Sequence, residues 1–296
     1  MSTKLSTLVR SMLAAVVTAG LAVTPVLLGP PAAAVTGLTS GQAQSANNSA
    51  AEKVVTARCP AGTNAIGGSA VVGGTTRVRV NTGVPSASGY TVLAREPEGG
   101  VAENWFVVVT ARCAPAFSLP GLEYRDAFSS FDSAATHSAT AACSPGRRLI
   151  GTGGVVDTNG PGQDQVVLTA VRPSADLTRL TVSGAEDETG FGGSWRVRAT
   201  AVCINPVLNQ QLVSASSGFD SADGKSASAA CPAGTKAHAG GFDVGSGRGE
   251  VNVASYFVDP DLPFDWSREG FVATGREDAT GRAGDWRVAA FAVCAA

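Results

Sequence analysis

The clearest pattern in the chain is a period-two alternation that occurs three times. Trp105, Val107, Val109, Ala111 and Cys113 share one parity. Trp195, Val197, Ala199, Ala201 and Cys203 repeat it, and so do Trp286, Val288, Ala290, Ala292 and Cys294. The intervening positions carry Arg196, Arg198 and Thr200 in the second case and Arg287 in the third. Five positions kept on one side by alternation predict a half-buried strand, because a helix would scatter them round its axis. A second alternation leads into an earlier cysteine each time: Val55, Ala57, Cys59; Ala139, Ala141, Cys143; Ala227, Ala229, Cys231. Its members are small. A strand of that kind, facing the tryptophan strand across a core, leaves room for an indole beside a disulfide.

Further β-rich runs fill the intervals. Val166–Val171 and Val251–Phe257 end at Pro173 and Pro260, and Arg77–Val80 is their counterpart with Pro85 beyond it. Tyr90–Leu93, Leu177–Val182 and Phe271–Thr274 lead to glutamate-containing turns, while Glu123–Phe128 and Gln211–Ala215 precede the second and third small-residue strands. That predicts five or six strands per interval and no strong helix after the N-terminal segment.

These intervals are copies of one unit. Each first cysteine has a glycine three residues on: Gly62, Gly146, Gly234. Each second cysteine has its tryptophan eight residues before it. Nine residues before each tryptophan stands Glu96, Glu186 or Glu277, and five before it Gly100, Gly190 or Gly281. Lys53, His137 and Lys225 lie six before the first cysteine. The period runs from 84 residues (Cys59 to Cys143) to 91 (Cys203 to Cys294). Six cysteines in such an arrangement read as disulfides, most economically within copies as Cys59–Cys113, Cys143–Cys203 and Cys231–Cys294, each closing a loop worth about 4 kcal/mol in the chain-entropy model; the alternative links neighbouring copies. The expected layout is a signal peptide over 1–34, a flexible linker over 35–45, and β repeats over 46–116, 117–207 and 208–296. The expected fold is all-β, with three homologous disulfide-linked repeats as small tandem β-sandwiches. The alternative is one threefold β-prism-like assembly. The segments between copies hold Phe117, Leu119, Val207 and Leu208, which suits docked copies.

Lys4 and Arg10, an apolar run from Met12 to Leu28, and Ala32-Ala33-Ala34 have the order of a cleavable export signal cut before Val35. Cleavage removes two cations and no acid, so the formal charge moves from −2 to −4. A mildly acidic chain is a poor match for nucleic acid or an anionic membrane. Secretion and an extracellular location follow, with no membrane span after cleavage.

Candidate chemistry is sparse. Glu96, Glu186 and Glu277, with Asp187 and Asp278, could mark three equivalent ligand or Ca²⁺ sites, but Pro97 replaces the aspartate in the first copy and no loop has the oxygen density Ca²⁺ needs. The simpler role is a turn residue that accepts backbone hydrogen bonds. Trp105, Trp195 and Trp286 are expected in the structural core. Trp266 sits in an insertion unique to the third copy, and Asp259, Asp261, Phe264 and Trp266 combine carboxylates with aromatic faces in a way that suits a sugar. His137 and His238 are too few for a zinc site, no nucleophile motif occurs, and no cofactor is expected.

The pattern Lys53, Cys59-Pro60-Ala61-Gly62, Gly67-Gly68, Trp105, Val107, Ala111, Cys113, seen again at Lys225, Cys231-Pro232-Ala233-Gly234, Gly240-Gly241, Trp286, Val288, Ala292, Cys294, resembles a repeat of secreted actinobacterial proteins. The second copy departs from it at His137, Ser144 and Pro145. The resemblance covers nearly all of the chain after the signal and implies export but no catalytic residues. The expected function is a secreted, non-enzymatic binding or surface protein for a glycan or cell-envelope polymer. The alternative is a structural or adhesive spacer without a small ligand, and a secreted hydrolase ranks third.

Overall fold

The computed structural model describes residues 33–159, 163–245, 249–258 and 269–296. Among them the chain is all-β. The first copy supplies β1 (Thr39–Gln44), β2 (Glu52–Arg58), β3 (Thr63–Gly73), β4 (Arg79–Ser86), β5 (Gly89–Arg95) and β6 (Phe106–Pro115). The second supplies β7 (Glu123–Phe128), β8 (Thr136–Ala142), β9 (Arg148–Thr158), β10 (Val166–Pro173), β11 (Arg179–Glu186) and β12 (Trp195–Ile204). The third supplies β13 (Gln211–Ser216), β14 (Gly224–Ala230), β15 (Lys236–Gly245), β16 (Val251–Val258), β17 (Gly270–Glu277) and β18 (Arg287–Ala295).

Within a copy the strands form two antiparallel layers. In the first copy these are β1-β6-β3 and β2-β5-β4, and the other copies pair their strands in the same order. The layers face each other across a core of alternating residues, so each copy is a small sandwich. The small-residue strand does face the tryptophan strand: Val55, Ala57, Trp105, Val107 and Ala111 belong to one buried cluster. Disulfides Cys59–Cys113, Cys143–Cys203 and Cys231–Cys294 pin the two layers together, each with a Cα separation of 5.7 Å.

The copies share sheets. β4 pairs with β9, β10 with β15, and β16 with β3, giving three six-stranded sheets that each span two copies. The third copy thereby returns to the first, and the three sandwiches close into a ring. β3, β9 and β15 surround the centre, where a void of only about 40 Å³ remains, lined by residues of all three copies.

One expectation is corrected. Residues 35–45, expected as a flexible linker, contain a strand: Thr39–Gln44 forms β1 and pairs along β6 from Thr39↔Cys113 to Gln44↔Val108. Val35 is buried beside Ile66, Ile150 and Ile204. An edge strand needs only backbone pairing, which composition does not display.

The glycine runs form the central strands, and close approach is the reason. A Cβ on Gly68 would lie 2.2 Å from the Tyr90 ring, and one on Gly240 would lie 2.1 Å from the Phe271 ring. The second copy has Thr152 and Leu180 at these two positions, so a smaller partner accompanies the larger residue. Gly68→Ala is therefore expected to destabilise the protein by about 1–3 kcal/mol through overpacking. Urea denaturation measures this, and adding Tyr90→Leu should recover part of the loss. Equal stability of Gly68→Ala and wild type would refute the close-packing account.

Candidate functional site

The most repeated polar arrangement surrounds the indoles. Trp105, Trp195 and Trp286 are each 0% exposed. A buried indole N–H needs an acceptor. Trp105 Nε1 donates to Glu96 Oε1 at 2.8 Å, Trp195 to Glu186 at 3.1 Å and Trp286 to Glu277 at 2.7 Å. The second carboxylate oxygen receives the backbone N–H of Val101 in the first copy and of Arg282 in the third. The turn between glutamate and tryptophan needs a left-handed residue, and Gly100, Gly190 and Gly281 take φ of 71°, 73° and 72°.

A basic side chain lies against each indole face or edge. Lys53 Nζ lies 4.5 Å from the Trp105 ring centroid and Lys225 Nζ 4.9 Å from that of Trp286. His137 meets Trp195 edge-on at 4.4 Å. The two ammonium groups bond the side chains of Asn48 and Asp220, and His137 lies 3.3 Å from Asp132. Asn48, Asp132 and Asp220 in turn bridge the backbone of the tryptophans. The glutamates thus act within the core. They satisfy indoles and turn amides, and they do not converge on a common exterior point. Among the described residues no group of three metal-ligating side chains occurs.

The aspartates after two of these glutamates meet elsewhere. Asp187 Oδ2 and Asp278 Oδ2 each lie 3.0 Å from the Arg79 guanidinium, and all three side chains are nearly fully buried. Arg79 Nε also donates to Asn252 Oδ1 at 3.1 Å, and Nη1 donates to the carbonyl of Asp164. Register places Arg79, Val167 and Asn252 at equivalent positions of the three copies. One arginine therefore serves two carboxylates. The first copy, which donates the cation, has Pro97 instead of a third aspartate. The other oxygen of each aspartate caps its own turn, at Thr189 and Thr280.

Among the described residues two exposed features stand out. On the outer face of the second copy, Phe128 and Phe131 are 50% and 46% exposed. The Arg196 guanidinium lies 4.7 Å from the first ring centroid and 5.4 Å from the second. Asp157 holds that guanidinium through Nε at 3.1 Å and Nη2 at 2.9 Å. The Arg198–Asp126 pair lies on the same strands. Two aromatic faces and a cation anchored by a carboxylate make a platform for a polar, ring-shaped partner. Arg196 is visible in the sequence as a polar-face residue of the tryptophan strand. The outward Phe128 closes a short edge strand with no strict alternation, so periodicity did not mark it. The second feature is a cleft of about 460 Å³ beside β3 and β16, lined by Val71, Thr75, Tyr256 and Arg276 among others.

Asp259, Asp261, Phe264 and Trp266, the residues proposed from sequence for ligand binding, lie outside the described residues. Three disulfides suit an oxidising environment, and among the described residues no helix is long and apolar enough to cross a membrane. No protein-family model matches this chain, and no curated protein is similar to it at a significant level.

Proposed function

We propose that this is a secreted, non-catalytic binding protein that attaches to a glycan or cell-envelope polymer. The observation that carries this reading is the Phe128–Arg196–Phe131 platform. Two neighbouring half-exposed phenylalanines make a contiguous apolar patch of the kind that marks a contact site, and here they bracket a cation already fixed by Asp157. A sugar ring presents C–H groups to aromatic faces, while its hydroxyls accept from guanidinium and donate to carboxylate. The export signal, the disulfides and the likeness to secreted actinobacterial repeats support an extracellular setting. The insertion with Asp259, Asp261, Phe264 and Trp266 offers a second aromatic and acidic contact of the same chemistry.

Retention on insoluble cell-wall polysaccharide tests the reading. The wild-type chain is expected to sediment with at least one wall fraction, and Phe128→Ala/Phe131→Ala to weaken retention by at least about tenfold. Trp266→Ala reports separately on the insertion. Both phenylalanines are half-exposed, so the double variant should keep the wild-type unfolding midpoint within a few degrees. Failure of the wild type to bind any fraction, or unchanged retention in all three-site variants (Phe128, Phe131, Trp266), would reject the proposal.

A further inference from the structure

We infer that the cleft between β3 and β16 binds a small amphiphile, a molecule with an apolar body and one anionic group. The cleft originates in a residue that the third copy lacks. β4 and β10 each carry a bulge, at Asn81 and Thr169, and the next residue of each strand pairs with the neighbouring copy, as Thr82↔Val155 and Ala170↔Asp243. A bulge bends its strand and increases the local twist. β16 runs along β17 from Val251 to Val258 without one. It meets β3 only at Ser255↔Ala70, so Ala254 and Val71, which hold the places of the two pairs above, stay unpaired. The space of about 460 Å³ opens there, and both residues line it.

That volume lies within the range of small-molecule sites, about 300–1,000 Å³. Val71 and Val72 of β3, Val78, and Ala254 and Tyr256 of β16 supply an apolar lining. Val71 is 43% exposed, a large apolar side chain that the missing pair leaves open to water. Ser226 and Thr274 add hydroxyls on the outer face of the sheet.

Charge gives the ligand its sign. The chain has a formal charge of −2, yet Lys225 and Arg276 line the cleft, and among its described lining residues there is no aspartate or glutamate. Lys225 is already committed, to Asp220 and the Trp286 ring. Arg276 is not. In the first copy the equivalent arginine, Arg95, has Glu52 directly across the ladder and pairs with it at 2.6 Å. In the third copy the residue across from Arg276 is Gly224, and the space it leaves belongs to the cleft. Arg276 instead meets Asp223 at 3.1 Å, with both side chains more than half exposed. An ion pair so exposed contributes little. The guanidinium can therefore pass from Asp223 to the anionic oxygens of a ligand whose apolar body fills the cleft. The site lies apart from the Phe128–Arg196–Phe131 platform, which belongs to the second copy, and it takes a ligand of different chemistry.

Fluorescence titration of the full chain with anilinonaphthalene sulfonate tests this, with N-phenylnaphthylamine as the same aromatic body without the sulfonate. The folded wild type is expected to show a saturable site for the sulfonate probe. Arg276→Gln should weaken that probe about fivefold and leave the neutral one unchanged. Ala254→Leu, which fills the cleft, should weaken both. Phe128→Ala/Phe131→Ala should bind both probes as the wild type does. Absence of a saturable site on the wild type overturns the inference. It is also overturned if Arg276→Gln binds the sulfonate probe as the wild type does or loses both probes equally, if Ala254→Leu binds unchanged, or if the double phenylalanine variant loses the site. Arg276 is more than half exposed, so its comparison stands even if Ala254→Leu does not fold.

Discussion

Replacing Arg79 with methionine is expected to cost about 3–5 kcal/mol of folding stability. The side chain is of similar length and fits an apolar surround, so lost volume contributes little. What remains is two carboxylates, Asp187 and Asp278, with side-chain exposures of 3% and 6% and no guanidinium between them. Each would have to stay ionised without a counter-charge, take up a proton, or draw in water. Asn252 Oδ1 and the Asp164 carbonyl would lose their donor as well. The control is Arg79→Met with Asp187→Asn and Asp278→Asn. Asparagine keeps an acceptor for the Thr189 and Thr280 turns while removing both charges. This triple variant should recover most of the loss in urea denaturation, because replacing a whole buried ionic group by neutral residues is often near neutral. If Arg79→Met alone is as stable as wild type, the cluster is not what fastens the three copies at that end.

Acidification supplies the second large effect, through His238. Ile66 and Ile150 occupy the equivalent bulge positions of the other copies, and all three side chains are almost wholly buried. His238 Nδ1 lies 2.8 Å from the Lys236 carbonyl and so carries the proton, while Nε2 is buried without a partner. Burial lowers the imidazole from its ordinary 6.5 to about 4; the Lys236 carbonyl opposes this, and the Arg112 and Lys236 charges add to it. The folded state therefore holds this histidine neutral while the unfolded chain protonates near 6.5. Between those values the unfolded state binds more protons, so stability falls as pH drops. The contribution is intact above about pH 6.5 and lost by about pH 4, amounting to about 3 kcal/mol. His238→Ile should remove that slope and leave the rest of the pH profile unchanged. A variant whose stability falls as steeply as wild type between pH 6.5 and 4 would place the acid sensitivity elsewhere.

Much of this architecture can be read from residues. Alternation from Trp105 to Cys113, and at its two counterparts, marks the strands whose inner faces are buried. Common spacing of cysteine, glutamate and tryptophan pairs the sulfurs within copies. The expected sandwiches are present, and what the alternation did not show is how they join. β3, β9 and β15 carry runs such as Gly67-Gly68, Gly153-Gly154 and Gly240-Gly241, which have low strand propensity and no alternation of size. Their glycines are there because Tyr90, Phe271 or a neighbouring backbone lies against them, a tertiary fact with no local signature. The shared sheets follow from those same strands and were equally hidden. Glu96, Glu186 and Glu277 stood out by spacing, but nothing in spacing distinguishes an indole acceptor from a ligand site. Arg79 carried no mark at all, since it has no arginine counterpart in the other copies.

The return of the last sandwich onto the first also sets the order in which the molecule can be completed. Ala70 and its partner Ser255 lie near opposite ends of the polypeptide. As the chain emerges from its N-terminus, β3 has to wait with one side unsatisfied until almost everything else has been made. Pairings between such distant segments are slow to find. A chain cut short within its last third would be left with that waiting strand and with Arg79 and Arg112, whose partners Asp278 and Glu269 would be missing.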